Sequence, residues 1–298
     1  MKTLKVAGCI LSLSLSIAMS AQEKVDPWKN VDAAMGRTGQ MQAGGVYKYA
    51  MPRRDLKVTK EGVTIAPGLA LGSWVAFQKM GDQAMLMGDL VLTEDEIEPV
   101  MLNLQEHGIE QTSIHNHLLG ESPHIVYMHI EGHGDPVALG KSVASALALT
   151  KTPLPAAGTA PTPQQAIDID QAGVQKTLGY TGKVNGGILQ FSVPRTEKIV
   201  EGGMEIPPAM GTATAINFQP TGQGKAAISG DFVLLSSEVN PVLRALRNNG
   251  IEVTAMHNHM LDDEPHLYFM HFWANDDAVK LAHGLRAALD ATNSLKPK

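Results

Sequence analysis

Cysteine is almost missing from this 298-residue chain, since Cys9 is the only one. It lies in residues 1–21, where two lysines, an apolar run and a small-residue end are typical of a secretory signal peptide. Removal of that segment would leave no cysteine, which excludes disulfides and thiolate metal ligands and leaves His, Asp, Glu and Met. The chain is therefore expected to be exported, to the periplasm or out of the cell.

Positive charge and long apolar segments are also scarce. Lys and Arg number 24 against 30 Asp and Glu, a net charge of −6. Binding to a nucleic-acid backbone needs an excess of cations, so we expect no nucleic-acid partner. Beyond the signal peptide no apolar run approaches the roughly 20 residues of a membrane-spanning helix, so no transmembrane segment is expected. Glycine-rich phosphate loops and the Gly-x-Ser-x-Gly motif are absent, which leaves nucleotide binding and serine hydrolysis unsupported.

The chain does contain an internal duplication. Residues 88–131 align with 230–273 without a gap, and 20 of the 44 positions are identical. The sequence therefore predicts two homologous units, residues 25–150 and 166–295, joined by a proline-rich linker over 151–165. Two copies of one unit are expected to pack about a pseudo-twofold axis, as identical subunits do.

Each unit has the pattern of a mixed α and β domain. A buried strand is predicted at 84–92, followed by a helix that starts at the capping box of Thr93 and Glu96. Two strands at 109–118 and 124–131 flank a turn-rich segment, and a last helix follows at 137–149, matched by 278–289. The pattern predicts an α+β fold with a mainly antiparallel sheet and helices on one face.

The histidines carry the strongest chemical signal, because eight of the 11 occupy matched positions in the two copies. They are His115, His117, His124 and His129 in the first copy, and His257, His259, His266 and His271 in the second. Strand residues two apart share a face, so His115 and His117 should lie side by side. If His117 pairs with His124, His124 joins that face, and if His115 pairs with His129, His129 joins it. Both can do so only with a bulge.

Three imidazoles and an open position in each unit would suit zinc, and copper or iron less well. A carboxylate could complete the site, either Glu121 and its match Asp263, or Asp89 and its match Asp231. In a metal-dependent hydrolase, Glu121 or Asp263 would be the general base acting on metal-bound water. The spacing from His115 to Glu121 is also that of a cupin motif, but a helix running into this strand does not suit a cupin.

A second hypothesis remains open beside the metal site. The protein could be a non-enzymatic module of the cell envelope that binds a small molecule, a peptide or a glycan, with histidines that are structural or pH-responsive. Conservation of four histidines at equal offsets in two half-diverged copies favours the metal hypothesis, because packing alone accepts many residue types.

The signal peptide, the duplication and the paired signature Gly-Ile-Glu-x-Thr-x-x-His-Asn-His resemble the LppY/LpqO family of exported bacterial proteins. The resemblance covers nearly all of the mature chain. It implies a domain of unknown function whose named members are lipoproteins, and it supplies no catalytic residues. In this chain the apolar core follows Cys9 instead of preceding it, so we do not expect lipid anchoring at Cys9.

Overall fold

A computed structural model describes residues 27–154 and 167–296. The predicted signal peptide, Cys9 and most of the predicted linker lie outside the described residues. The first unit contains α1 (Lys29–Met35), β1 (Gln40–Met41), β2 (Val46–Pro52), β3 (Thr59–Lys60), β4 (Val63–Thr64), α2 (Pro67–Ala70), β5 (Gly72–Met80), β6 (Gln83–Thr93), α3 (Glu94–Glu106), β7 (Glu110–His115), β8 (Ile125–Gly134) and α4 (Pro136–Leu147).

The second unit repeats this order, with a 3₁₀ turn at Pro208–Met210 in the place of α2. It contains α5 (Gln171–Leu178), β9 (Lys183–Asn185), β10 (Ile188–Pro194), β11 (Val200–Glu201), β12 (Met204–Glu205), β13 (Ala213–Gly222), β14 (Lys225–Leu234), α6 (Ser236–Asn248), β15 (Glu252–His257), β16 (Tyr268–Asp277) and α7 (Ala278–Leu289). Short 3₁₀ turns occur at Ala43–Gly45 and Pro208–Met210.

Each unit is built on a six-stranded antiparallel sheet. The strand order is β1-β2-β5-β6-β8-β7 in the first sheet and β15-β16-β14-β13-β10-β9 in the second. The predicted α+β class with duplicated units is confirmed. β7 and β15 are edge strands, so neither has a second neighbour within its own sheet. Within the described ranges, no helix has both the length and the apolar character needed to cross a membrane.

The helices cover one face of each sheet, as predicted. In β8, Met128 and Ile130 face the helix side and are buried with Val100 of α3 and Val143 of α4. The capping box begins α3 as expected, because the main-chain N–H of Thr93 donates to Glu96 Oε2 at 3.0 Å. Residues that alternate with Met128 and Ile130, His129 among them, must therefore face the opposite side of the sheet.

That opposite face is buried against the other unit. The segment between β10 and β13 supplies Ile199, Ile206 and Met210, which pack with Met85 and Met87 of the first sheet. In return, the segment between β2 and β5 forms a core with Ala227 and Trp273 of the second sheet. The duplication thus lets each unit bury the sheet face that its own helices leave uncovered.

Reciprocal hydrogen bonds show that the two units are related by a pseudo-twofold axis. Thr112 Oγ1 donates to the carbonyl of His259 at 2.6 Å, and the matched Thr254 Oγ1 donates to the carbonyl of His117 at 2.8 Å. In an isologous interface, a contact from one partner must recur with the roles exchanged. The expected pseudo-twofold arrangement is therefore present.

In each unit a buried ion pair joins the residue after a sheet strand, β2 or β10, to the first turn of a helix, α3 or α6. Arg53 Nη1 lies 2.7 Å from Glu96 Oε2, and Arg195 Nη1 lies 2.7 Å from Glu238 Oε2. Each arginine also donates to a strand carbonyl, Val91 or Val233. The side chain of Arg53 is fully buried, so the pair is shielded from water.

Replacing Arg53 with alanine leaves the Glu96 carboxylate buried without its partner. We expect Arg53→Ala to lower the free energy of unfolding by about 3–5 kcal/mol, measured by urea denaturation, because an uncompensated buried charge is costly. The exposed pair of Lys198 and Glu205 is the control. Lys198→Ala should leave stability unchanged, and equal losses in the two variants would contradict this account.

Candidate metal centre

The strand register decides which histidines share a face. In the first sheet His129 lies opposite Ser113, and His115 lies opposite Tyr127, with a bulge between Gln111 and Ser113. Neither predicted register, His117 with His124 or His115 with His129, is the one observed. His115 and His129 nevertheless face the same side of the sheet. His115 shares a face with Tyr127, which lies directly opposite, and Tyr127 shares it with His129, two residues further along β8.

β7 ends at His115, so His117 lies beyond the sheet and not on the strand predicted for it. The chain leaves the sheet here because the following loop pairs with the small hairpin of β3 and β4. Main-chain hydrogen bonds of 2.9 Å join Thr59 and Ser122 in both directions.

Six imidazole rings from the two units converge where β7 and β15 meet. They belong to His115, His117, His129, His257, His259 and His271. The rings of the matched pair His115 and His257 stack with centroids 3.6 Å apart. His117 stacks on His271 at 3.6 Å, and its symmetric equivalent, His259 on His129, stacks at 3.8 Å. The sequence placed one three-histidine site in each unit, whereas the structure places one composite cluster between the units.

His124 and His266 lie apart from this cluster. Their side chains are 40% and 46% exposed. His124 Nδ1 contacts Glu121 Oε1 at 2.8 Å, and His266 Nδ1 contacts Asp263 Oδ1 at 2.7 Å. Their assignment as metal ligands stays a prediction that this placement does not support.

The carboxylates proposed as general bases have local partners in the same loops. Glu121 Oε1 accepts a hydrogen bond from the N–H of Ile125 at 3.2 Å, and Asp263 Oδ2 accepts one from Leu267 at 2.7 Å. Both carboxylates close the loop that precedes β8 or β16. A catalytic role for Glu121 and Asp263 stays a prediction.

Three sets of side chains bring their ligand atoms within 4.8 Å of one another. The sets are His115 with His257 and His271, His129 with His257 and His259, and Asp89 with His115 and His129. Every set that contains His257 draws ligands from both units. His117 belongs to none of the three sets.

The hydrogen bonds of the rings fix which nitrogen carries the proton. His115 Nδ1 donates to the carbonyl of Asn116 and His271 Nδ1 to that of Gly230, both at 2.8 Å. A carbonyl can only accept, so the other nitrogen of each neutral ring holds a lone pair.

Those lone pairs have no hydrogen-bond partner. Nε2 is buried and unbonded in His115, His129, His259 and His271, and in His257 both ring nitrogens are unbonded. A metal-binding histidine usually donates the N–H of its other ring nitrogen to a main-chain carbonyl or a carboxylate, which fixes the orientation of the ring. Buried acceptors without donors are otherwise costly and rare.

Burial keeps the rings neutral. It lowers the pKa of His115 to about 4 and the pKa of His117 and of His259 to about 3. It also holds the pKa of His129, His257 and His271 well below the ordinary value, with repulsion from neighbouring rings adding to the effect. A neutral imidazole is the form that binds metal.

The two halves of the cluster differ in one charge. Lys48 Nζ donates to the carbonyl of Ala209 at 3.1 Å, and the matched Gln190 Nε2 donates to the carbonyl of Gly68 at 3.0 Å. The contact is the same, but only Lys48 brings a positive charge, which interacts with both Asp89 and His259. Lys48 was not singled out from the sequence. A comparison of the matched strands β2 and β10 would have shown lysine in one and glutamine in the other.

A family model described as Domain of Unknown Function (DUF1259) matches residues 29–149 and again residues 172–291. The chain belongs to the DUF1259 family. It carries two copies of that domain, which agrees with the duplication and the paired sheets. The match gives no narrower family, so the resemblance to LppY/LpqO proteins stays a prediction.

Other comparisons add little to the DUF1259 assignment. A search of curated proteins finds no match. The crystal structure of the trimeric bacterial microcompartment shell protein PduB aligns over 88% of this chain and 97% of its own, with 13% identity and a TM-score of 0.22. A similarity at that level supports no conclusion about fold or function.

The buried rings predict that the metal-free protein is sensitive to acid. Their pKa values in the folded state lie below the unfolded value of about 6.5, so the unfolded state binds more protons as the pH falls through that window. We expect the free energy of unfolding to decrease from about pH 6.5 to pH 4, with each ring contributing at most about 1.4 kcal/mol per pH unit. The raised pKa values of Asp89 and Asp231 oppose part of this decrease.

Urea denaturation of the metal-free protein across this pH range measures the slope. His129→Gln and His271→Gln should each make it shallower, because each removes one buried titrating group. Ile114→Ala removes an exposed side chain that does not titrate, so it is the control and should leave the slope unchanged. A flat profile between pH 7 and pH 5 would show that the rings are not held neutral.

Proposed function

We propose that this DUF1259 protein is exported and binds one transition-metal ion, zinc, in the histidine cluster between its two units. The observation that carries the proposal is a set of buried ring nitrogens without hydrogen-bond partners, on histidines whose ligand atoms lie within 4.8 Å of one another. In His115 and His271 the other ring nitrogen is held by a main-chain carbonyl. Export is proposed from the signal peptide that the sequence predicts over residues 1–21.

Zinc suits the ligands better than other common ions. Imidazole nitrogen favours zinc and copper, whereas magnesium and calcium favour oxygen ligands. Zinc binds without a change of oxidation state and accepts three or four ligands in a tetrahedral arrangement. Copper is the second choice. His115, His117 and His257 are only partly buried, so their side of the cluster lies nearest to solvent.

The ligand sets support one ion in each chain. His257 belongs to both three-histidine sets. A neutral imidazole offers a single lone pair, so His257 can complete only one set at a time. The set left without His257 retains two imidazoles.

The same observations count against purely structural or pH-responsive histidines. A structural role would use both ring nitrogens in hydrogen bonds, and the buried Nε2 atoms have none. A pH sensor needs a pKa near physiological pH, and burial lowers the pKa of His115 to about 4 and that of His259 to about 3. Hydrolysis, and the binding of a small molecule, peptide or glycan, stay predictions from the sequence.

Metal analysis of the purified protein tests the proposal. We expect elemental mass spectrometry to find about one equivalent of zinc per chain, because His257 can complete only one tetrahedral site at a time. His257→Gln removes the ligand shared by both sets. It should weaken zinc binding more than the roughly 100-fold that loss of a hydrogen-bond partner of a ligand can cost, measured by competition with a chelator.

His266→Gln is the control, since His266 is a matched histidine outside the cluster. It should retain zinc affinity within about twofold, a difference of less than 1 kcal/mol. Wild-type protein that takes up no zinc or copper at neutral pH would contradict the proposal. So would equal affinities of the His257→Gln and His266→Gln variants.

A further inference from the structure

Each of the three ligand sets in the cluster contains one residue that belongs to neither of the others. The sets are the His271 set, with His115 and His257, the His259 set, with His129 and His257, and the Asp89 set, with His115 and His129. We infer that the ion occupies the His271 set and keeps its fourth position open to a small anion. This inference rests on the proposed function, to which it adds the ligand set and the class of molecule that the ion would bind.

Hydrogen bonds place the protons in the His271 set. Nδ1 of His115 donates to the carbonyl of Asn116, and Nδ1 of His271 donates to that of Gly230, both at 2.8 Å. Nε2 of each of these neutral rings therefore holds the lone pair, and both Nε2 atoms are buried without a hydrogen-bond partner. Neither nitrogen of His257 is hydrogen-bonded, so this ring can turn its lone pair to an ion without breaking a bond.

The carboxylate of Asp231 acts differently on the two three-histidine sets. Its Oδ1 lies 3.6 Å from Nδ1 of His271, on the proton-bearing side of that ring, where it stabilises the ring as a ligand. Its Oδ2 lies 3.1 Å from Nε2 of His259, and a carboxylate at that distance stabilises a proton on the ring nitrogen. A protonated nitrogen has no lone pair for a metal. Asp231 therefore supports His271 as a ligand and competes with an ion for His259.

The charged side chains around the cluster also favour the His271 set. Lys48 interacts electrostatically with His259 and with Asp89, the unique members of the other two sets. Burial lowers the pKa of Lys48 to about 8, which leaves it largely cationic at neutral pH. Asp231 interacts with two members of the His271 set, His115 and His271 itself. A divalent cation is repelled by Lys48 and attracted by Asp231, so it is more stable in the His271 set.

The His271 set supplies three ligands, and a tetrahedral zinc ion takes four. Within residues 27–154 and 167–296, no fourth histidine or carboxylate joins the set within 4.8 Å. His115 and His257 are partly buried, so two of the three ligands lie on the side of the cluster nearest to solvent. Zinc held by three histidines carries water in the remaining position, and neutral imidazoles do not cancel the charge of the ion. A small anion that replaces this water is therefore the ligand that the site favours.

Three variants of the full chain each remove the unique member of one set. Zinc affinity is measured by competition with a chelator, and circular dichroism of the metal-free variants shows whether they are folded. His271→Gln should weaken zinc binding by more than about 100-fold, because it removes a direct ligand. His259→Gln and Asp89→Asn should stay within about fivefold of wild type. His266→Gln, which lies outside every set, is the control and should bind like wild type.

A second variant covers the case in which His271→Gln does not fold. His115→Gln replaces a partly buried member of the same set and should show the same loss of zinc affinity. His115 also belongs to the Asp89 set, and Asp89→Asn reports on that set separately. A loss in His115→Gln with full affinity in Asp89→Asn therefore supports the His271 set.

Cobalt in place of zinc makes the open position visible by absorption spectroscopy. Azide, a small anion, is titrated into the cobalt-loaded protein. The spectrum should change and reach a plateau, while metal analysis after gel filtration shows that cobalt stays bound. A spectrum that does not change, or that changes only as cobalt is lost, would overturn the open position.

The outcomes separate this inference from the proposed function. A loss of zinc affinity in His259→Gln or Asp89→Asn that equals or exceeds the loss in His271→Gln overturns the choice of set and leaves a metal centre in the cluster. Wild-type protein that binds neither zinc nor copper would instead remove the proposed function itself.

Discussion

The packing of two sheets through their uncovered faces is the constraint on which the site depends. Helices bury only one face of each sheet, and the other face must be covered by the second unit. Residues on those inner faces are brought together across the pseudo-twofold axis. His115 lies next to the axis and therefore meets its own match, His257. The histidine cluster is a consequence of the duplication and not a property of either unit.

This arrangement makes the interface costly in the absence of an ion. Polar groups removed from water must find partners, and a buried acceptor left without one costs about 1–3 kcal/mol. Here several Nε2 atoms lack a partner, and the carboxylates of Asp89 and Asp231 lie among them with pKa values raised by burial. An ion that binds the folded state alone would offset this cost and link the stability of the protein to metal supply.

Much of the fold was readable from the sequence. The gap-free repeat gave the two units, the capping box located the start of α3, and regular helix formers marked α7 at Ala278–Leu289. The register of β7 and β8 was not readable, because a bulge between Gln111 and Ser113 shifts it and the strand ends at His115, before the loop that pairs with β3. Spacing within one copy cannot show contacts between copies, so three histidines per unit became six in one cluster.

Divergence between the copies separates residues that serve the loops from residues that serve the cluster. Glu121 and Asp263 differ in length, yet each accepts hydrogen bonds from the histidine three residues on and from the next N–H. A loop contact tolerates a change of one methylene, because the loop can shift with it. A general base or ligand must reach a fixed atom, and such a change would displace it. Asp89 and Asp231 are identical in the two copies and lie beside the rings, so ion chemistry is better placed with them.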